Sequence, residues 1–202
     1  MRGFDRLAKA YQPLERLSFA NRLQTLRCFC IPYLTGCRNG LLIGNGDGRF
    51  SAKLLQANSS IRVDSIDISR RMLEVAQANA SGHSDRLNPV HGDALKYTYP
   101  ETAYDFIGLH FCLDCFSQKQ IDSLLPKLTA CLRPGGVIAY SDFQASSFWQ
   151  RAVVRSLYLC FRAATGLEVQ RLPNAEWPGA LRQVAEAEVL AGLAFSRVLR
   201  KS

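Results

Sequence analysis

No stretch of this sequence approaches the roughly 18 uninterrupted apolar residues that a spanning helix requires. The first residues, MRGFDRLAKAY, carry charge throughout and lack the apolar core of a secretory signal. Together these two absences lead to the expectation of a cytoplasmic protein. A second C-x-x-C to match Cys112 and Cys115 is missing, so the paired donors of a zinc ribbon are not there and no metal site is expected. Cys28, Cys30, Cys37, Cys131 and Cys160 are scattered, mostly in apolar stretches, and the total of seven is odd. They read as reduced, buried small hydrophobes. Internal repeats, low-complexity segments and interior linkers are also lacking, and 202 residues suit one globular domain with a sizeable core.

What is present is an uneven charge. Residues 1–38 hold seven basic and two acidic side chains, residues 39–131 nine and ten, and residues 132–202 nine and five. The net +8 therefore sits at the two ends, around a balanced middle. A basic surface of this kind attracts an anionic small molecule or a membrane face. Concentrated Lys/Arg stripes with interleaved aromatics are lacking, so nucleic acid is not the expected partner.

Apolar residues recur at helical spacing from Phe4 to about Cys30, as two helices. Pro32 and Gly36 then break the pattern, which sets a cap region 1–38 before a domain 39–202. Strands are predicted at 41–43, 61–66, 87–90, 104–110 and 136–142, with helices at 48–57, 69–80 and 117–132 between them. Further helices are expected near 146–164 and 174–185, then a hairpin of 187–191 with 194–200. Alternation of strand and helix means a doubly wound α/β sheet of mostly parallel strands.

In such a sheet the ligand lies beyond the carboxyl ends of the strands. The first of these ends carries GNGDG, whose Gly44, Gly46 and Gly48 allow a tight turn and close approach of backbone to ligand. The dinucleotide pattern G-x-G-x-x-G is not met, since Arg49 occupies the third glycine position, which argues against a nicotinamide enzyme. Asp67 closes the second strand, where a carboxylate can accept ribose hydroxyls, and Gly92-Asp93 ends the third.

With LLIGNGDGRF, SIDIS, VHGDA, YDFIGLHFCLDCF and LRPGGVIAYSDF in this order, the chain resembles a class I S-adenosylmethionine-dependent methyltransferase from about Asn39 to Leu199. The resemblance implies a Rossmann-like seven-stranded sheet of order 3-2-1-4-5-7-6, strand 7 antiparallel, preceded by N-terminal cap helices. It implies S-adenosylmethionine as cofactor. Gly44, Asn45, Gly46 and Gly48 would surround its methionine part. Asp67 and Ile68 would hold the ribose and flank the adenine, Asp93 and Ala94 would meet the adenine edge, and His110 would close the pocket. One departure is Leu42, which stands where many members carry Asp or Glu; Asp47 or backbone carbonyls are the substitutes at hand.

No Asp/Asn-Pro-Pro-aromatic tetrapeptide follows the fourth strand, where HFCL stands instead. The N-terminal FDRLAKAYQPLERLSFANRLQTLR is loosely similar to the entry helices of ubiquinone and menaquinone C-methyltransferases, which makes Tyr11 a candidate lid residue. In SSFWQRAVVRSLYLCFRAATG, Arg151, Arg155 and Arg162 fall within about 40° on a helix, and the remainder is apolar. Such a helix suits a membrane interface or a greasy pocket, or else packs on the domain with its arginines in water. The expectation is methyl transfer to a lipophilic, aromatic or quinol-like small molecule. His110 is the first candidate for a general base, followed by Asp114 and Asp142. The rival reading is a methyltransferase-like scaffold that binds the cofactor without turnover, motivated by Leu42.

Overall fold

Leu41, Leu42 and Ile43 are buried on both faces of one strand, as the middle of a parallel sheet demands. In the computed structural model, which describes residues 20–165, 172, 174–179 and 181–202, this strand is β1 (Asn39–Ile43). It is followed by β2 (Arg62–Asp67), β3 (Leu87–His91), β4 (Tyr104–His110) and β5 (Leu132–Phe143), and then by β6 (Leu181–Val189) and β7 (Ala194–Lys201). The seven strands form one sheet of order 3-2-1-4-5-7-6. Strands β1 to β5 pair parallel, and β7 runs antiparallel to both β5 and β6.

Five α-helices accompany the sheet among the described residues: α1 (Ala20–Cys28), α2 (Arg49–Ala57), α3 (Arg70–Asn79), α4 (Gln118–Cys131) and α5 (Phe148–Thr165). Phe50, Leu54 and Leu55 of α2 and Ala76 of α3 join Leu42, Val63, Phe106 and Ala139 in a core on one face. Ile121, Leu124, Leu125 and Leu128 of α4 join Leu41, Ile107, Leu109, Ile138 and Tyr140 on the other. Alternate residues of each strand serve opposite cores, which is the period-2 geometry of a doubly covered sheet. Caps fix the helix starts. Ser69 Oγ accepts from Met72 N–H, and Ser117 with Gln120 makes a reciprocal capping box.

Leu23 and Leu26 of α1 pack with Ala194 beside Phe111 and Phe143, so α1 covers the sheet where β4, β5 and β7 meet. The earlier part of the expected cap, with Tyr11, lies outside the described residues. No helix among the described residues is long and apolar enough to cross a membrane.

The C-terminal segment differs from its expected form. Residues 174–179 are not helical, and the strand begins at Leu181, where a helix reaching 185 was expected. The hairpin is 181–189 with 194–201 and is longer than the spacing suggested. The Ala and Glu of LRQVAEAEV favour a helix locally, yet the same segment alternates along an edge strand. There Glu186 accepts from Arg197 across the pair at 2.7 Å, and pairing with β7 overrides propensity. The strand β5 also starts four residues early, through the Arg133–Gly136 bend, where Gly135 has φ +74°.

Candidate functional site

The carboxyl ends of β1 to β4 converge on the glycine turn. Gly44 N–H donates to Ile66 O (3.0 Å), and Gly92 N–H to Asp67 O (3.0 Å), which ties the ends of the first three strands together. Gly44, Gly46 and Gly48 all have positive φ, and the last two do different work. A Cβ on Gly48 would lie 2.5 Å from Ala76 Cα, so this glycine lets the turn close against α3. A Cβ on Gly46 would meet nothing within 4 Å. Gly46 therefore leaves open space above the turn.

Asp67 borders that space. Its carboxylate accepts from Ser69 N–H at 2.9 Å, with the N–H groups of Gly46 and Ile68 also directed at it. Burial pushes its pKa up, and these donors with His91 oppose the rise. Ile68 is one of few large apolar side chains left exposed, as a residue lying against a flat ligand would be. His91 Nε2 meets Ile68 O at 3.1 Å, which holds the ends of β2 and β3 in register; the sequence alone gave this histidine no role. Asp93 accepts from Leu95 N–H (2.9 Å) in the next turn, and Ala94 is buried beside it.

Asn45 supplies an unmet acceptor. Its Nδ2 donates to Ser51 Oγ (2.9 Å), and Ser51 Oγ donates to Gly48 O (2.9 Å). That chain fixes the amide orientation and leaves Oδ1 buried without a hydrogen-bond partner among the described residues. A buried acceptor of this kind calls for a donor. Asp47, the substitute considered for the missing acid, turns to Arg49 Nε at 2.7 Å. Leu42 is buried, with Cδ2 at 2.6 Å from where a Cβ on Gly108 would stand. The open turn, the Asp67 carboxylate, exposed Ile68 and the free Asn45 Oδ1 fit an adenosyl ligand with an ammonium end.

The three candidate bases divide between the two faces of the sheet. His110 Nδ1 bonds Ser141 Oγ (2.9 Å), which in turn bonds Ser196 Oγ (3.0 Å), and its ring meets Phe50 of α2 edge-on at 4.4 Å. Burial, with Arg27 nearby, holds its pKa down to about 3, and Nε2 has no hydrogen-bond partner among the described residues. Placed first by sequence, His110 is a buried neutral side chain on the α2 face.

Asp142 faces the other way. It lines a cavity of about 260 Å³ with Leu113, Tyr140, Phe143, Phe195 and Arg197. Burial and then the nearby Asp114 carboxylate push its pKa well up. Asp114 is also raised by burial, against a weak bond from the Cys115 thiol. Cys112 packs its Cβ against Gly44 and lies within electrostatic range of Asp67, Asp114 and Asp142, so it joins the cofactor turn to the acidic pair. Burial keeps its thiol protonated. From sequence, Cys112 was weighed only as half of a C-x-x-C, and the serine pair was not singled out, although Ser141 follows from the alternation of AYSD once His110 is placed.

The family described as a methyltransferase domain matches residues 41–136. A malonyl-[acyl-carrier protein] O-methyltransferase of Ilyobacter polytropus is 31% identical over 112 residues, covering 55% of this chain and 42% of its own. A tRNA 5-carboxymethoxyuridine methyltransferase of Escherichia coli K12 is 25% identical, covering 67% of this chain and 51% of its own. This chain thus spans about half or less of the length of these relatives. Among solved structures, the N-methyltransferase NodS of Bradyrhizobium japonicum, in complex with S-adenosyl-L-homocysteine, aligns with a TM-score of 0.64. It shares 18% identity, with 92% of this chain and 90% of NodS covered, and shows the common fold.

Proposed function

Because residues 41–136 match the methyltransferase-domain family, we propose that the chain is a class I S-adenosylmethionine-dependent methyltransferase that transfers a methyl group from that cofactor to a lipophilic aromatic or quinol-like small molecule. The observation that carries the acceptor class is the cavity beside Asp142, walled by Leu113, Tyr140, Phe143 and Phe195 with Arg197 at one side. Tyr140 and Phe195 stand edge to face at 5.3 Å, which makes a wall suited to a flat ring. The relatives named above serve different acceptors by name, so the acceptor is read from this chain's own cavity.

Bound at the glycine turn, S-adenosylmethionine supplies a methyl already activated by its sulfonium. What remains for the protein is positioning, exclusion of water and removal of one proton. Gly46 would leave room for the methionine part, Asn45 Oδ1 would accept from its ammonium in place of the usual acid, and Asp67 would accept from the ribose hydroxyls. Asp142, whose pKa is pushed up by burial and by the nearby Asp114, would take the proton that a phenolic oxygen or an activated ring carbon loses as its bond to the methyl forms and the methyl–sulfur bond breaks.

A reading without turnover has one observation in its favour. The usual acidic position is a packed Leu42, and Asp47 is engaged by Arg49. Incubation with methyl-labelled cofactor separates the readings. We expect label in the organic extract of reactions offered phenols and hydroquinones. Label in tRNA or acyl-carrier protein would overturn the acceptor class, and cofactor binding without transfer to any pool would establish the scaffold.

A further inference from the structure

Three of the five large hydrophobic side chains exposed among the described residues belong to α5, namely Phe148 (82%), Leu159 (56%) and Trp149 (48%). Exposure concentrated on one helix marks a surface that meets something. At 100° per residue, Phe148, Ala152 and Leu159 lie within about 40° of one another. Arg151 and Arg155 border this stripe on one side, Trp149 and Ser156 on the other, and all seven are exposed. The helix contains no Asp or Glu.

The opposite face is anchored. Gln150 and Val154 are buried. Gln150 Nε2 donates to Ala191 O (3.0 Å) in the β6–β7 turn, and its Oε1 accepts from Ser146 and Ser147 N–H (2.8 and 2.9 Å). The outer stripe is therefore held outward by the fold.

We propose that the outer face of α5 seats on an anionic lipid surface. An apolar stripe bordered by arginines, with a tryptophan at its rim, matches the layered chemistry of a bilayer boundary: acyl chains under Phe148 and Leu159, phosphates opposite Arg151 and Arg155. A second copy of the same face would set arginines against arginines with no acidic complement. Arg151 and Arg155, both exposed, supply the positive charge that draws this face toward negative lipid. Phe143, Gln144 and Ala145 of the cavity wall lead directly into α5. A bilayer under α5 thus lies beside the cavity assigned to a lipophilic acceptor. The lipid contact itself does not rest on that assignment.

The test is co-sedimentation of the full chain with sucrose-loaded vesicles of phosphatidylcholine, with or without phosphatidylglycerol, alongside tryptophan emission. We expect binding about tenfold stronger to the phosphatidylglycerol vesicles, weakened by salt, with a blue shift from Trp149. Arg151→Glu with Arg155→Glu removes the preference for anionic lipid, and Phe148→Ser with Leu159→Ser reduces binding, both with unchanged thermal melts. The proposal is overturned by failure to sediment with either vesicle, or by binding indifferent to both variants. It is equally overturned by light scattering that finds a dimer which Phe148→Ser with Leu159→Ser dissociates, since that assigns the face to a second copy.

Discussion

His110 and Asp142 end neighbouring strands but face opposite sides of the sheet. His110 Nδ1 bonds Ser141 Oγ at 2.9 Å, and Asp142, the next residue along β5, points to the cavity. The account therefore puts the proton acceptor at Asp142. Asp142→Asn is expected to lower kcat by about 10²-fold or more. His110→Gln changes stability more than turnover, as steady-state kinetics and melting of the two variants will show.

The acidic pair also sets a pH profile. The base works ionised, and burial with Asp114 raises its pKa, so kcat/KM climbs with pH along a limb above the usual carboxylate range. Removing the Asp114 charge removes one cause of the rise. Asp114→Asn should move that limb to lower pH, and an unmoved limb would assign it to another group.

Stability follows the same groups with opposite signs. Asp142 and Asp114 have raised folded pKa values, so their contribution is present below the unfolded value of about 3.8 and is lost as pH rises through the folded value. His110 has a depressed one, so its contribution is full above about 6.5 and fades toward about 3. Asp142→Asn should raise Tm by a few degrees at pH 8 and by less at pH 4, measured by calorimetry.

Gly46 and Gly48 separate binding from folding. Gly48→Ala drives a Cβ to 2.5 Å from Ala76 Cα at φ +77° and should cost about 3 kcal/mol of stability or more. Gly46→Ala meets open space at φ +59°, so it should cost only about 1 kcal/mol. Its Cβ projects into the open space proposed for the cofactor, and cofactor affinity should fall sharply. Asn45→Ala should weaken binding by about 10-fold or more through the lost acceptor for the ammonium, read by calorimetric titration.

The sheet was legible because its signals agree at every level. The run LLI, the alternation in IRVDSI and the helix patterns between the strands all point to one topology, and the resemblance supplied the strand order. The helix expected over 174–185 failed where edge pairing outweighs the preference of Ala and Glu. Asp67 and the glycine turn could be read from strand ends alone. The divergence of His110 from Asp142 could not, because which face a residue serves depends on register between strands rather than on position along one. Asn45 Oδ1 was likewise invisible until Ser51 fixed the amide.

Equilibrium dialysis of S-adenosyl-L-homocysteine against the wild-type chain and Asp67→Ala tests the central claim most directly. The account predicts one molecule bound per wild-type chain and affinity at least about 10²-fold weaker in the variant, measured at a temperature where its melt shows it folded, since two charge-assisted hydrogen bonds to the ribose are lost. Equal binding by both proteins, or none by the wild type, would contradict it.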